Sequence, residues 1–367
     1  MRHSRLVRSL LAGLAVAFLA QPCDHVRAES PPTALRRVQP PVPAALTVGQ
    51  GKQFSTIRAA VAASRDGDVI SVDAGTYTND FAIINTRITL MGVGGMVRMV
   101  ATTAPPNGKA ILVTDTDVSI DHFEFTGVAV PDRNGAGIRH QRGKLLVTNS
   151  YFHHNQAGIL ANSDPSGSIT IRNSEFSHNG AGDGYSHNLY VGAINALTID
   201  NSYFHHAVVG HQVKSRALST TITNSRIAEG PEGTGSYSID LPNGGRAVLS
   251  GNIIEQGQRS GNPVIVAFGA EGNLHANTGL RMMGNTILND LAFPSSRLLW
   301  NATSVTATLA GNSVFGLSAS QYARGPAQVT GMTVLTTRPV LDTSSPWAPA
   351  IAPASTPAGR RRSLPVH

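Results

Sequence analysis

One short phrase of sequence recurs along the middle of the chain: an apolar residue, Asn-Ser or Gly-Asn two positions later, and a second apolar residue at the end. Its copies are Ile120–Phe125, Val147–Phe152, Ile171–Phe176, Ile199–Phe204, Ile222–Ile227, Leu249–Ile254, Met282–Ile287 and Leu309–Val314, of which the first shares only the phase. The copies end at residues 125, 152, 176, 204, 227, 254, 287 and 314, which are 23 to 33 positions apart. This spacing predicts a repeat protein whose units stack along one axis.

The unit length and its composition select one kind of repeat. Alternating apolar residues, Gly and Asn at the turns and the absence of helical periodicity disfavour leucine-rich and helical repeats. Stacked turn asparagines can pair through their side-chain amides, and Ile, Val and Phe can fill the interior. We therefore predict an all-β fold, a single-stranded right-handed parallel β-helix with three short strands per coil.

A short helix is expected ahead of the repeats. Ser55 is a suitable N-cap, and the apolar residues Ile57, Ala60 and Val61 follow with helical spacing. Because a stack of parallel strands has an open end that needs covering, we expect this helix to cap the N-terminal end of the β-helix.

The 367 residues divide into four predicted parts. Residues 1–28 have the arginines, the apolar core and the small-residue site of a signal peptide cleaved after Ala28, and the apolar core is shorter than the ~20 residues that span a membrane. Residues 29–46 form a Pro-rich linker, residues 47–337 the β-helix, and residues 338–367 a Pro/Ala/Ser-rich tail expected to be disordered or loosely docked. The predicted location is the periplasm or the outside of the cell.

The basic balance of the chain comes mostly from its ends. Removing residues 1–28 takes away four arginines and one aspartate and lowers the formal charge from +7 to +4, and Arg360, Arg361 and Arg362 account for three of those four charges. The body is close to neutral, so we expect no nucleic-acid partner. The one cysteine, Cys23, precedes the cleavage site, so the mature chain is expected to depend on packing and backbone hydrogen bonds.

Three strand-like segments in the middle of the chain carry the candidate site. Each passes through one aliphatic residue, and these residues are Leu189, Val213 and Ile239. If the segments are equivalent rungs of the repeat, the residues that follow form one outward column, Tyr190, Lys214 and Asp240. Adjacent strands lie roughly 4.8 Å apart, so one sugar-sized ligand could touch all three.

The opening of the repeat region allows a comparison with a known family. The segments Gly49–Ile57, Asp66–Ile70 and Ala74–Tyr77 are similar to the first coil of many members of the pectin-lyase-like β-helix superfamily, and the resemblance extends from about Leu46 to Gly316. It implies the β-helix fold. The superfamily includes lyases, hydrolases, methylesterases, epimerases and non-enzymatic adhesins, so activity must be argued from the site.

The column contains the groups that eliminative cleavage of a uronate polymer requires. Such cleavage needs a cation at the carboxylate, a base for the C5 proton and an acid for the departing O4. We expect Arg216 to bind the carboxylate, Lys214 with a lowered pKa to act as the base, and Tyr190 to act as the acid. C5 epimerisation would use the same groups. The alternative is an ordinary cross-strand ion pair between Lys214 and Asp240 beside a surface tyrosine.

Further residues complete the predicted site. The expected substrate-binding residues are Asn188, Gln212, Asp240 and Asn243, of which alternation places Asn188 and Gln212 on the outward face with Tyr190 and Lys214. The equivalent His187 and His211 are predicted by strict alternation to face inward as a stacked pair, although an irregular strand start could turn either one toward the cleft as a base. His211 is favoured because it is closer to Lys214.

A second set of histidines, His154, His178 and His206, is expected to stack at one turn in consecutive coils. Three histidines in a column could bind a metal, but we interpret them as lining a wet turn, and no metal is predicted. Acidic residues are too sparse on the face to support a calcium site, so no cofactor is expected.

These observations predict an exported enzyme that acts on an acidic polysaccharide, as a lyase or C5-epimerase of uronate chains. Inverting hydrolysis is disfavoured because it needs two carboxylates about 6.5–9.5 Å apart, and the face offers only Asp240. The alternative is a non-catalytic glycan-binding or structural β-helix protein of the periplasm or cell surface.

Overall fold

The computed structural model describes residues 45–341. The predicted signal peptide, nearly all of the predicted linker and most of the predicted tail lie outside the described residues. The strands, in chain order, are β1 (Ala45–Val48), β2 (Val69–Thr78), β3 (Ala82–Ile84), β4 (Ile88–Val100), β5 (Ala110–Thr114), β6 (Val118–Asp121), β7 (Phe123–Thr126), β8 (Ala136–His140), β9 (Lys144–Thr148), β10 (Tyr151–His153), β11 (Ala157–Ala161), β12 (Asp164–Arg172), β13 (Glu175–Ser177), β14 (Leu189–Val191), β15 (Ile194–Asp200), β16 (Tyr203–His205), β17 (Val213–Ser215), β18 (Ser219–Thr223), β19 (Arg226–Ala228), β20 (Ile239–Leu241), β21 (Arg246–Ser250), β22 (Ile253–Gln256), β23 (Val264–Phe268), β24 (Gly279–Met283), β25 (Thr286–Asn289), β26 (Arg297–Asn301), β27 (Ala307–Ala310), β28 (Ser313–Phe315), β29 (Ala323–Arg324), β30 (Ala327–Thr330) and β31 (Thr333–Val334).

These strands form three stacks, and the strands within each stack pair in parallel. Every complete coil adds one strand to each stack. The first stack is β1-β2-β4-β6-β9-β12-β15-β18-β21-β24-β27-β30, the second is β7-β10-β13-β16-β19-β22-β25-β28-β31, and the third is β3-β5-β8-β11-β14-β17-β20-β23-β26-β29. The long strands β2 and β4 run through both the first and the second stack. The predicted solenoid of three strands per coil is confirmed.

The interior follows directly from the recurring phrase. Its last residue points inward in every coil, and Phe125, Phe152, Phe176 and Phe204 are all fully buried. Their rings stack face to face, with centroids 4.8, 4.6 and 4.5 Å apart in succession. A coil that places the same residue at the same point each time therefore builds a continuous apolar column.

The turn asparagines form the predicted amide ladders. Asn149, Asn173 and Asn201 adopt positive φ angles of 49°, 48° and 44°, a conformation that asparagine tolerates better than most residues. Their side-chain amides donate along the stack, Asn173 to Asn149 at 3.3 Å and Asn201 to Asn173 at 2.9 Å. In the Gly-Asn copies the glycine takes the left-handed position, and the asparagine follows one residue later. There Asn252 and Asn285 form a separate, buried ladder.

One α-helix, α1 (Ile57–Ala63), lies within the described range. Thr56, rather than the expected Ser55, is its N-cap, and the Thr56 hydroxyl accepts from the Ala59 N–H. The side chains of Ile57, Ala60 and Val61 are buried in the main hydrophobic core. Its role as the cap of the β-helix stays a prediction. In the range 45–341 no helix has the length and apolar character of a membrane span.

The first residues of the predicted tail lie against the coils. The guanidinium of Arg338 donates to Asp290 Oδ2 at 2.7 Å and also pairs with Glu255. The remainder of the tail, residues 342–367, lies outside the described residues.

Candidate active site on the third stack of strands

The three segments singled out in the sequence are successive rungs of the third stack. Strands β14, β17 and β20 pair in parallel, with Tyr190 opposite Lys214 and Lys214 opposite Asp240. The aliphatic residues beside them are fully buried in the interior. The predicted register of the Tyr190–Lys214–Asp240 column is therefore confirmed.

Lys214 lies between two carboxylates. Its ammonium nitrogen is 2.8 Å from Asp240 Oδ2 and 2.9 Å from Glu271 Oε1. Burial by itself lowers the pKa of Lys214, but the nearby charges and hydrogen bonds of Asp240 and Glu271 outweigh it, and the net pKa is raised. The expectation of a lowered pKa is wrong, because two carboxylates contact the amine. While it is paired with Asp240 and Glu271, Lys214 is protonated.

Arg216 connects the column to its surroundings through three hydrogen bonds. Its Nε–H donates to Tyr190 Oη at 3.0 Å, Nη1 donates to Asn243 Oδ1 at 2.8 Å, and Nη2 donates to Glu271 Oε2 at 2.7 Å. A guanidinium has five N–H donors, so two remain available to a ligand. The side chain is 24% exposed, which leaves it accessible from the outer face.

Two of the predicted substrate-binding residues, Asp240 and Asn243, contact Lys214 and Arg216 from behind. Asp240 is only 3% exposed, and burial raises its pKa despite the opposing effect of Lys214. The Asn243 amide accepts from Arg216 and donates to the carbonyl of Gly272 at 2.8 Å. Both side chains therefore position Lys214 and Arg216, and neither presents a large surface to a ligand.

Asn188 and Gln212 do not share the outward face, and that expectation is wrong. Both are fully buried, and they belong to a chain of side-chain amides in which Asn188 donates to Gln212 and Gln212 donates to Glu229. Each lies at a bend, one residue before its strand begins, where the alternation of a strand does not apply. They bind the protein's own polar groups.

His187 and His211 form the expected stacked pair, but they lie beside the site and do not face the interior: the His187 ring is 5.9 Å from the Tyr190 ring, and His211 Nε2 is 3.5 Å from Asp240 Oδ2. Their rings lie 4.6 Å apart, His187 Nδ1 accepts from the His211 N–H at 3.0 Å, and His211 Nδ1 accepts from the Tyr237 N–H at 3.2 Å. Burial and the charge of Lys214 lower the pKa of His211 to about 3, and burial lowers that of His187 well below its ordinary value. A neutral imidazole has one acceptor nitrogen, which is occupied in both rings, so this geometry does not support either histidine as a base.

The second histidine column is also stacked as expected. The His154 and His178 rings are 5.0 Å apart, and those of His178 and His206 are 4.8 Å apart. Burial and the neighbouring imidazoles lower the pKa of His178 to about 4. Among residues 45–341, no group of three or more His, Cys, Asp and Glu side chains is arranged to hold a metal ion.

Two residues of the site were not identified from the sequence. Glu271 lies in the loop between β23 and β24, within the longest step of the repeat, 33 residues, which is the one available signal. Arg139 lies in β8 on the same column as Tyr190, two rungs earlier, through the pairs Arg139–Leu160 and Leu160–Tyr190. Extending the outward column in that direction would have found it.

Comparisons with known proteins identify the fold. No family model matches the sequence, and no curated protein matches it. Among solved structures, an alginate lyase from Paenibacillus sp. str. FPU-7 has a TM-score of 0.56 and 18% identity over 79% of this chain and 98% of its own. The ORF18 protein of Geobacillus virus E2 has a TM-score of 0.53 and 13% identity over 79% of this chain and 59% of its own. Pectate lyase Pel9A has a TM-score of 0.48 and 14% identity over 79% of each chain. The chain thus has a right-handed parallel β-helix fold, as its sequence predicted.

Proposed function

We propose that this protein cleaves a uronate-containing polysaccharide by β-elimination. One observation carries the proposal: Tyr190 and Lys214 occupy adjacent rungs of the outward column, and the Arg216 guanidinium is bonded to the phenol oxygen. These are the cation and the two proton-transferring groups that elimination from a uronate requires. The alginate lyase with the same fold supports a uronate polymer as the substrate class.

Arg216 is the group that meets the substrate carboxylate. Its two remaining N–H donors can form a charge-assisted pair with a carboxylate, and this pair neutralises the negative charge that otherwise resists loss of the C5 proton. Its contacts with Tyr190, Asn243 and Glu271 fix the orientation of the guanidinium before the substrate arrives. Such preorganisation reduces the reorganisation needed in the transition state.

The charges around the column support one assignment of the two proton transfers. Elimination needs one residue that accepts the C5 proton and another that donates a proton to O4. Asp240 and Glu271 hold a proton on Lys214, while the Arg216 cation stabilises negative charge on the Tyr190 oxygen. We therefore assign Tyr190 as the base and Lys214 as the acid, the reverse of the roles expected from the sequence.

The reaction then proceeds as a balanced elimination. The Tyr190 phenolate takes the C5 proton, and the electrons of the C5–H bond form the double bond between C4 and C5. The C4–O4 bond breaks, and the Lys214 ammonium gives a proton to the departing O4. The products are an unsaturated sugar end and a new hydroxyl end. The phenol and the amine exchange protons with water before the next cycle.

The test is an assay of the purified mature protein on alginates, pectate and glucuronan, with and without added calcium. Elimination produces a conjugated double bond, so the ultraviolet absorbance of the product rises with time on one of these polymers. NMR of the recovered polymer separates the other outcomes. A changed uronate composition without absorbance would replace elimination by C5 epimerisation, and an unchanged polymer in every case would favour a glycan-binding or structural protein.

Export is part of the same proposal. The evidence for export is the arginines and the apolar core of residues 1–28. A polymeric substrate that cannot enter the cell is consistent with export. Cell fractionation of a bacterial host that expresses the full chain tests this point, and mass spectrometry of the recovered protein locates the cleavage site.

A further inference from the structure

We propose that a pocket next to the catalytic column binds the carboxylate of a second uronate residue of the same chain. This inference deepens the proposed function and rests on it. The pocket has a volume of about 380 Å³, and we call it the Arg139 pocket. Its lining includes Asn134, Arg139, Leu160, Asp183, His187 and Tyr190.

The Arg139 pocket is continuous with the catalytic column because Tyr190 belongs to both. Arg139 pairs with Leu160, and Leu160 pairs with Tyr190, along the third stack. Two rungs of roughly 4.8 Å place Arg139 about 10 Å from Tyr190 along the axis. A polymer that lies parallel to the axis with one residue at Tyr190 therefore extends directly into the pocket.

Two polar atoms in this pocket are buried without a partner. They are Arg139 Nε and Asn134 Oδ1, and only five such side-chain atoms occur among the described residues. An unsatisfied buried polar atom is costly and calls for an explanation, such as a ligand. A uronate residue has a partner for each of the two atoms. Its carboxylate can accept from the Arg139 N–H, and its hydroxyls can donate to the Asn134 amide oxygen.

No described side chain neutralises the charge of Arg139. Its Nη2 donates to the neutral amide of Asn162, and among residues 45–341 it has no carboxylate within 4.0 Å. The two acidic side chains of the lining are already engaged. Asp132 pairs with Lys109 at 3.0 Å, and Asp183 accepts from the Tyr185 N–H at 2.9 Å and from Ser186. A half-buried arginine without a counter-ion among the described residues favours an anionic ligand over a neutral sugar.

The experiment measures binding separately from catalysis. The full chain carrying Tyr190→Phe, which keeps the ring, is titrated calorimetrically with a uronate hexasaccharide and with the same hexasaccharide after reduction of its carboxyl groups. Adding Arg139→Gln is expected to weaken binding of the acidic hexasaccharide roughly 10- to 100-fold, the usual effect of losing a charge-assisted hydrogen bond. Binding of the reduced hexasaccharide is expected to be weak in both proteins.

The matched control is Arg281→Gln, which removes the same charge from an exposed side chain of the first stack. Its affinity should equal that of the parent. Thermal unfolding checks that Arg139→Gln is folded. Asn134→Ala provides a second test, because the Asn134 oxygen has no partner to lose, and it should also weaken binding. Equal affinities of Arg139→Gln and Arg281→Gln, or full binding of the reduced hexasaccharide, would overturn the inference.

The outcomes also separate this inference from the proposed function. If the wild-type protein releases unsaturated product and the Arg139→Gln variant binds normally, the elimination stands and the Arg139 pocket does not. If no polymer is cleaved but binding depends on Arg139, the elimination is wrong and the pocket is a uronate-binding site.

Discussion

The Glu271 carboxylate lies 2.9 Å from the Lys214 ammonium nitrogen, although 57 positions separate the two residues in the chain. Its other oxygen accepts from Arg216 Nη2 at 2.7 Å. One carboxylate from a loop thus joins both cations of the candidate site, in the way that a substrate carboxylate would. It keeps Lys214 protonated, and it occupies one of the donors of Arg216.

Replacing Glu271 by Gln is expected to change the pH dependence of the elimination. The Glu271 carboxylate helps to raise the pKa of Lys214, so a neutral amide lets that pKa fall toward its ordinary value. Because Lys214 must be protonated to act as the acid, the alkaline limb of the kcat/KM profile should move to lower pH. The control is Glu232→Gln, an exposed glutamate that pairs with Arg259 elsewhere. An alkaline limb at the wild-type position would remove Lys214 as the acid.

Lys214→Arg is expected to abolish most of the activity without unfolding the protein. Arginine keeps a cation beside Asp240 and Glu271, but its pKa is too high for proton transfer at neutral pH. Loss of a general acid typically costs 10²- to 10⁴-fold, so we expect kcat to fall about that much. Initial rates and thermal unfolding are measured together, with the exposed Lys144→Arg as the control. Retention of full activity would show that Lys214 transfers no proton.

Tyr190→Phe is expected to remove the base and to leave the fold almost unchanged. The phenol oxygen accepts from Arg216, while the ring lies partly exposed on the outer face, so little packing depends on the hydroxyl. The activity should fall about 10²- to 10⁴-fold. Tyr77→Phe removes a hydroxyl that bonds the Asp73 carbonyl and serves as the comparison. Equal rates in the two variants would require another base.

The buried Glu229 is expected to make the stability of the protein depend on pH. Burial raises the pKa of Glu229 from 4.5 to about 7, against the hydrogen bonds from Gln212 and Gly235. Between these pH values the folded state holds the proton that the unfolded state has lost. The free energy of unfolding therefore falls as the pH rises through this window, by roughly 3 kcal/mol in total.

Glu229→Gln removes this dependence because the amide does not titrate. The change in the free energy of unfolding between pH 4.5 and about 7 should be smaller in the variant than in the wild type by that amount. Urea unfolding at a series of pH values measures it, and the exposed Glu232→Gln should follow the wild type. Parallel curves for Glu229→Gln and the wild type would show that Glu229 is ionised throughout.

The repeat itself determined most of the fold. A period of two along each strand and a nearly constant coil length leave one way to bury the apolar residues, so the stacked Phe152 and Phe176 and the register of Tyr190 with Lys214 could be predicted from spacing alone. The same argument predicted the stacked pair His187 and His211. These features depend only on short-range pattern repeated from coil to coil.

The chemistry of the site was decided by tertiary structure. Asn188 and Gln212 lie at bends just before their strands, where side-chain direction depends on local backbone angles, so alternation assigned them to the wrong face. The protonation of Lys214 depends on Glu271, a residue of an inserted loop, and the sequence pattern does not specify where such a loop folds back. A pKa depends on distances of a few ångströms between charges, whereas a repeat specifies only which rung a residue occupies.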